Sequence, residues 1–85
     1  MLENKALVEI EVPAINKCFD VYVPLDCKMS SVLTLIAHTI QELTDGFFLS
    51  NSETVLCDYS SGKIYDLNKF TYELNINNGS KLLLI

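Results

Sequence analysis

The side chains best suited to nucleophilic or metal chemistry in this sequence are one histidine, His38, and three cysteines, Cys18, Cys27 and Cys57. A Cys–His pair works only when thiol and imidazole come within hydrogen-bond reach. Nothing in the spacing of Cys57 and His38 brings them together. The cysteine separations match no zinc motif, and three thiols are one short of the set that holds a plant-type iron–sulfur cluster. An odd number also excludes complete disulfide pairing, which fits a reducing compartment. CxxC, HExxH and a glycine-rich phosphate loop are all missing. The carboxylates are scattered, and Glu9 and Glu11 read as the wet face of a strand. The expectation is therefore a protein that is not an enzyme, with no catalytic residue, no metal ligand and no cofactor.

Composition narrows the partners. A net charge of −5, with six lysines and no arginine, argues against nucleic acid, whose phosphates call for clustered positive charge and arginine forks. An anionic membrane surface is disfavoured for the same reason. The apolar runs are a few residues long, far short of a bilayer span, so direct membrane insertion is not expected. The N-terminus alternates Glu with apolar residues and carries no signal-peptide core, so a cytoplasmic location is expected. The 85 residues make a single domain, 1–85, with one modest core.

The element that must organise that core is Met29 to Leu43. At about 100° per residue, Met29, Val32, Leu33, Ile36, Ile40 and Leu43 share one side. Ser31, Thr34, His38, Gln41 and Glu42 fall opposite, so His38 is expected to be a solvated surface residue. A helix of this length does not stand alone in water and needs a sheet to lie on. Asp26 or Ser30 is placed to cap its start. Gly46 suits the left-handed C′ position after its end, and Phe47-Phe48-Leu49 is expected to tuck back beneath it.

Five stretches supply the sheet. After a lead-in over Met1 to Lys5, Ala6 to Val12 alternates, with Val8, Ile10 and Val12 on one face. Pro13 ends it and Ala14-Ile15-Asn16 turns the chain. Lys17 to Val23 alternates again, with Phe19, Val21 and Val23 inward, which makes a hairpin. Thr54 to Asp58 reads as a third strand, and Ser60-Ser61-Gly62 turns it into a fourth at Lys63-Ile64-Tyr65. Phe70 to Leu74 reads as a short helical turn, and Asn77-Asn78-Gly79 as a tight turn. Ser80 to Ile85 forms the fifth strand, apolar on both sides and therefore central, beside the first. The order β-β-α-β-β-β with the helix on one sheet face is α+β.

The segment Phe70-Thr71-Tyr72-Glu73-Leu74-Asn75-Ile76-Asn77-Asn78-Gly79-Ser80-Lys81-Leu82 resembles the ubiquitin-like pattern T-apolar-x-E-L-G-I-x-x-G-x-x-L. Glu73, Leu74, Ile76, Gly79 and Leu82 match it. Phe70 and Thr71 depart from the Thr-apolar lead, and Asn75 stands where glycine is common, a replacement that asparagine tolerates in a left-handed backbone. From Ala6 to Ile85 the chain resembles the YukD/EsaB family, small ubiquitin-like proteins that accompany type VII secretion in Gram-positive bacteria. The resemblance implies a β-grasp fold with a five-stranded mixed sheet on one long helix. It further implies a non-conjugated interaction module whose partner is the cytoplasmic secretion ATPase or a membrane component of a type VII system. A second reading is a β-grasp carrier or conjugating protein, which requires a C-terminal Gly-Gly that this sequence does not contain after Gly79.

With catalysis set aside, binding remains. On the last strand Leu82 and Leu84 face one way, and Leu83 and Ile85 the other. If the first pair meets the helix, the second lies on the open face, at positions resembling those of ubiquitin's recognition patch. Leu56 is a third candidate there, with the choice between Leu56 and its neighbours Val55 and Cys57 left open. Cover by Phe47-Phe48 or a nearby loop is the competing reading of this patch. Leu35, at the flank of the helix, is a weaker second surface.

Overall fold

The computed structural model describes residues 4–85. The first three residues of the expected lead-in lie outside them, and Lys5 already belongs to the first strand. That strand, β1 (Lys5–Val12), turns through a 3₁₀ segment at Pro13–Ile15 and returns antiparallel as β2 (Lys17–Pro24). Asn16 takes the left-handed conformation that closes the turn, φ 56°. The helix α1 (Met29–Leu43) has the bounds its periodicity implied. Two further strands follow, β3 (Leu56–Asp58) and β4 (Lys81–Leu84). The sheet order is β2-β1-β4-β3, with β4 parallel to β1 and antiparallel to β3. The last strand is central, as expected, but only Leu82 and Leu84 on its helix side are fully buried, while Lys81 and Leu83 on its other side are partly exposed.

Among the described residues the sheet has four strands, not the five expected. Lys63–Tyr65 does not extend into a strand: Ile64 makes one isolated bridge to Cys57. The physical reason is length. The tight turn ending at Gly62 and the turn beginning at Asp66 leave three residues, enough to pair once along β3 but not to propagate a ladder. Asp58 N–H still donates to the Lys63 carbonyl at 2.9 Å, and Tyr65 N–H to the Leu56 carbonyl at 3.1 Å. The segment therefore covers the outer edge of β3 without becoming a strand.

The core lies between α1 and one sheet face. Ala6, Val8, Ile10 and Val12 from β1, Val21 and Val23 from β2, and Leu82 and Leu84 from β4 bury against Met29, Val32, Ile36 and Ile40. Two helix positions depart from the expected stripe. Leu43 is 59% exposed in the last turn, while Ala37 is buried. Ala37 shares a groove with Leu33 and with Ser50, Asn51 and Thr54, so the loop after the helix covers this flank. His38 is exposed, its Nε2 4.0 Å from Glu42 Oε1 one turn on.

Both helix ends are closed differently from the expectation. Neither Asp26 nor Ser30 caps the start: the N-cap position is Lys28, with no side-chain cap. Instead the Met29 and Ser30 N–H groups donate to the carbonyls of Lys69 (2.9 Å) and Leu67 (3.1 Å). Orphan donors of a first turn are here satisfied by a loop distant in sequence. Thr71 locks that loop down: it is fully buried, and its N–H and Oγ1 both donate to the Cys27 carbonyl at 3.0 Å. At the other end Thr44 is the C-cap, Asp45 N–H reaches the Glu42 carbonyl and Gly46 N–H the Gln41 carbonyl. That is a Schellman closure with Asp45, φ 54°, at C′ and Gly46 one residue later.

The ubiquitin-like segment behaves as its pattern implied. Thr71–Leu74 forms a 3₁₀ turn, and Glu73 Oε1 accepts from the Phe70 N–H at 2.9 Å. Asn75 follows with a left-handed φ of 57°. Ile76 enters the core, and the Asn78 side chain accepts from the Leu7 N–H at 2.7 Å, fixing the turn into β4.

Candidate functional site

On the sheet face away from the helix, register places two rows of side chains. One runs Cys18, Glu11, Leu83, Cys57, and the other Asp20, Glu9, Lys81. Lys81 Nζ sits 3.8 Å from Glu9 Oε2 and 3.7 Å from Glu11 Oε1, and 4.2 Å from the centre of the Tyr59 ring. Partial burial pulls the Lys81 ammonium down, but Glu9, Tyr59 and Glu11 outweigh it, and the net shift is upward. The middle of this face is thus a charge-paired strip with an aromatic platform at its side.

Three residues were expected to form the docking patch, and the structure separates them. Leu83 is on the open face, half-buried between Glu11 and Cys57. Ile85 is 53% exposed, its backbone fixed by reciprocal hydrogen bonds with Val55 at 2.8 and 3.0 Å. Leu56 does not belong to the patch. It is fully buried in the core, opposite Leu84, and its neighbour Cys57 points to the sheet face away from the helix, where it too is buried. A three-residue strand has no alternation long enough to set its parity, so the β4 pairing decides which side chain points inward.

Ile85 instead joins residues that the sequence reading had tucked away. Together with Ala14, Ile15, Phe48, Leu49 and Phe47 on one side and the polar Asn51, Glu53 and Thr54 on the other, it lines an open groove of about 530 Å³ at one end of the domain. Only Phe48 turns into the core, its N–H held by Thr44 Oγ1 at 3.1 Å; Phe47 and Leu49 are 77% and 65% exposed. The available signal was the alternation Phe47-Phe48-Leu49 itself: once one residue is inward, the other two face water. Leu35 is also exposed on the outer side of the helix, apart from the residues that meet the loop over 50–54.

The residues suited to chemistry are dispersed. Cys57 lies buried on the sheet face away from the helix and His38 on the outer surface of α1, so the sheet and the helix stand between them. Burial pushes the Cys57 thiol up, away from thiolate character. Partial desolvation and the carboxylates of Glu9 and Glu11 push Cys18 up as well, with its Sγ 3.8 Å from Glu11 Oε1. Among the described residues no three His, Cys, Asp or Glu side chains gather as a metal site. None of the described helices is long and apolar enough to cross a membrane.

Asp58 is the most heavily hydrogen-bonded carboxylate. Its Oδ2 accepts from the Ser61 N–H and Oγ–H, both at 2.9 Å, and from Ser60 Oγ; Tyr65 O–H reaches its Oδ1 at 3.4 Å. The Ser61 N–H bond first, then the hydroxyls, hold its carboxyl below the ordinary carboxylate range. Burial first, and Asp58 second, push the Tyr65 phenol far above its usual range. A carboxylate whose folded-state pKa is lowered contributes stability that is present above its unfolded value, about 3.9, and is lost as pH falls through the folded value. Between about pH 4 and pH 2, Asp58→Asn is therefore expected to lose less stability than the parent. Urea midpoints followed by circular dichroism across that range check it, and parallel acid limbs would contradict it.

No protein-family model matches the sequence. No curated protein matches it either. Solved structures do. The ubiquitin-like domain of the type VII secretion system protein ECCD1 of Mycobacterium tuberculosis superposes with TM-score 0.74 at 14% identity, over 95% of this chain and 97% of that one. The EccD5 ubiquitin-like domain of Mycobacterium xenopi gives 0.69 at 19% identity, over 95% and 92%. A chain of the toluene 4-monooxygenase HD complex gives 0.76 at 12% identity, over 94% and 95%. The chain has the ubiquitin-like β-grasp fold, with one helix on a four-stranded mixed sheet. At these identities the likeness establishes architecture, and function has to be argued from the surface.

Proposed function

We propose that this protein is a non-enzymatic, non-conjugated ubiquitin-like docking module, an accessory component of a type VII secretion system that acts in the cytoplasm. The observation that carries the reading is the near end-to-end match to ubiquitin-like domains of two type VII secretion proteins. Its partner is a protein of that apparatus, the secretion ATPase or a membrane component. The contact surface is the exposed apolar end of the domain, Phe47, Leu49 and Ile85. Three large apolar side chains exposed around one groove, with a polar rim at Asn51, Glu53 and Thr54, suit a surface that works by binding. The relationship to the YukD/EsaB proteins of Gram-positive bacteria belongs to the same proposal, resting on the segment from Phe70 to Leu82.

The test is genetic. Deleting the gene in its native host is expected to abolish export of that host's type VII substrates. Wild-type protein should restore export, and Phe47→Asp, altered only at an exposed side chain, should fail to do so while folding normally. Undiminished export in the deletion strain would overturn the secretion role. Full rescue by Phe47→Asp would remove the groove from it.

A further inference from the structure

The outer edge of β2 is an open hydrogen-bonding edge. In β1, the Leu7 N–H and carbonyl and the Glu9 N–H all bond on the β4 side, to Asn78 Oδ1 (2.7 Å), the Gly79 N–H (2.8 Å) and the Ser80 carbonyl (2.9 Å). Main-chain groups alternate in direction along a strand, so Ala6, Val8 and Ile10 bond toward β2, opposite Val23, Val21 and Phe19. The Leu25 N–H, donating to the Asn4 carbonyl at 2.8 Å, continues the same parity. The N–H and carbonyl groups of Cys18, Asp20 and Tyr22 consequently point away from the sheet. Among the described residues, none of these six groups has a hydrogen-bond partner. The opposite edge differs, because Lys63–Tyr65 covers β3. An eight-residue edge without a bulge or an internal proline, ending only at Pro24, is a template for another strand.

Charge on the open face selects the occupant. Asp20, Glu9 and Lys81 stand in register across three strands. Lys81 serves Glu9 and Glu11, whereas Asp20 has no ion-pair partner among the described residues. A second copy of the chain fits poorly. Each copy carries −5, and antiparallel pairing centred on Asp20 sets the two Asp20 carboxylates directly opposite each other. A cation beside Asp20 pairs with the one carboxylate of this row that Lys81 does not serve and flanks the adjacent Asp20 and Glu9 with positive charge on both sides. On the helix side the edge offers Phe19, half-buried, and Val21, where apolar side chains of an added strand continue the sheet's inner face.

We propose that the β2 edge is a strand-addition site for an extended segment of a partner protein in which basic and apolar residues alternate, the basic side chain pairing with Asp20. Main-chain bonds to Cys18, Asp20 and Tyr22 supply affinity, and the charge at Asp20 supplies register and selectivity. The site is separate from the groove at Phe47 and does not depend on the secretion role.

Two capped synthetic heptapeptides test it, one alternating valine with lysine and the other valine with glutamate. By amide-detected NMR, the Val–Lys peptide is expected to shift the N–H signals of Cys18, Asp20 and Tyr22 and slow their exchange. The Val–Glu peptide should bind at least about tenfold more weakly. Asp20→Lys should reverse that preference. Tyr22→Pro removes an outward N–H and no bond to β1, and should abolish binding of the Val–Lys peptide. Should Tyr22→Pro fail to fold, the reversal by Asp20→Lys decides alone. Equal binding of both peptides, protection elsewhere on the domain, or no binding at all overturns the proposal. Concentration-dependent protection of the same amides in the protein alone would assign the edge to a second copy and overturn it too.

Discussion

Leu84→Asp is expected to leave this chain unfolded, whereas Leu83→Asp, one residue earlier, keeps the fold. Leu84 is fully buried between the helix and the sheet, opposite Leu56. Its replacement forfeits about 1.5–3 kcal/mol of apolar burial. It also places a carboxylate where no cation or donor can reach it, a penalty of several kcal/mol more. A domain of 85 residues has a total stability of about 4–13 kcal/mol, so the two terms together consume most or all of it. Leu83 points the other way, only partly covered, next to Glu11 in register. An aspartate there keeps part of its hydration and meets repulsion from Glu11, on the order of 1 kcal/mol or less, so its cost is well below that of Leu84→Asp. Far-UV circular dichroism and urea melts separate the two variants. Equal unfolding would mean that the open face is covered at Leu83.

The second large effect is at the helix. Ile36→Ala should destabilise by about 2–5 kcal/mol, while His38→Ala should change stability by no more than about 0.5 kcal/mol. Ile36 is fully buried in the centre of α1, and its truncation leaves a cavity among Val, Ile and Leu side chains that have little room to collapse. His38 is exposed, and its approach to Glu42 is at the limit of an ion pair, on a helix surface where such pairs contribute little. Chemical denaturation of both variants measures the difference. Similar losses would contradict the burial pattern of the helix.

Much of this architecture is a local property of the chain and was legible in it. The bounds of α1, the inward faces of β1 and β2, the central place of β4 and the left-handed Asn75 follow from periodicity over several residues or from the conformational tolerance of one. The reading of His38 as a surface residue came from the same periodicity. Other features belong to pairing partners remote in sequence, and only the tertiary structure decided them. Lys63–Tyr65 has strand-like residues, but whether three residues form a strand depends on the length of ladder their neighbours allow. Leu56 and Cys57 are both apolar, and pairing with Leu84 and Leu83 chose the first for the helix side of the sheet and the second for its other side. The helix start is capped by the carbonyls of Leu67 and Lys69, a solution invisible to any window around Met29. Phe47 and Leu49 became surface because Thr44 and the left-handed Asp45-Gly46 closure draw in Phe48 between them. The open β2 edge was undecided for the same reason: hydrogen-bond direction along a strand is set by which neighbour it pairs with, and the sequence does not carry that parity until the sheet has formed.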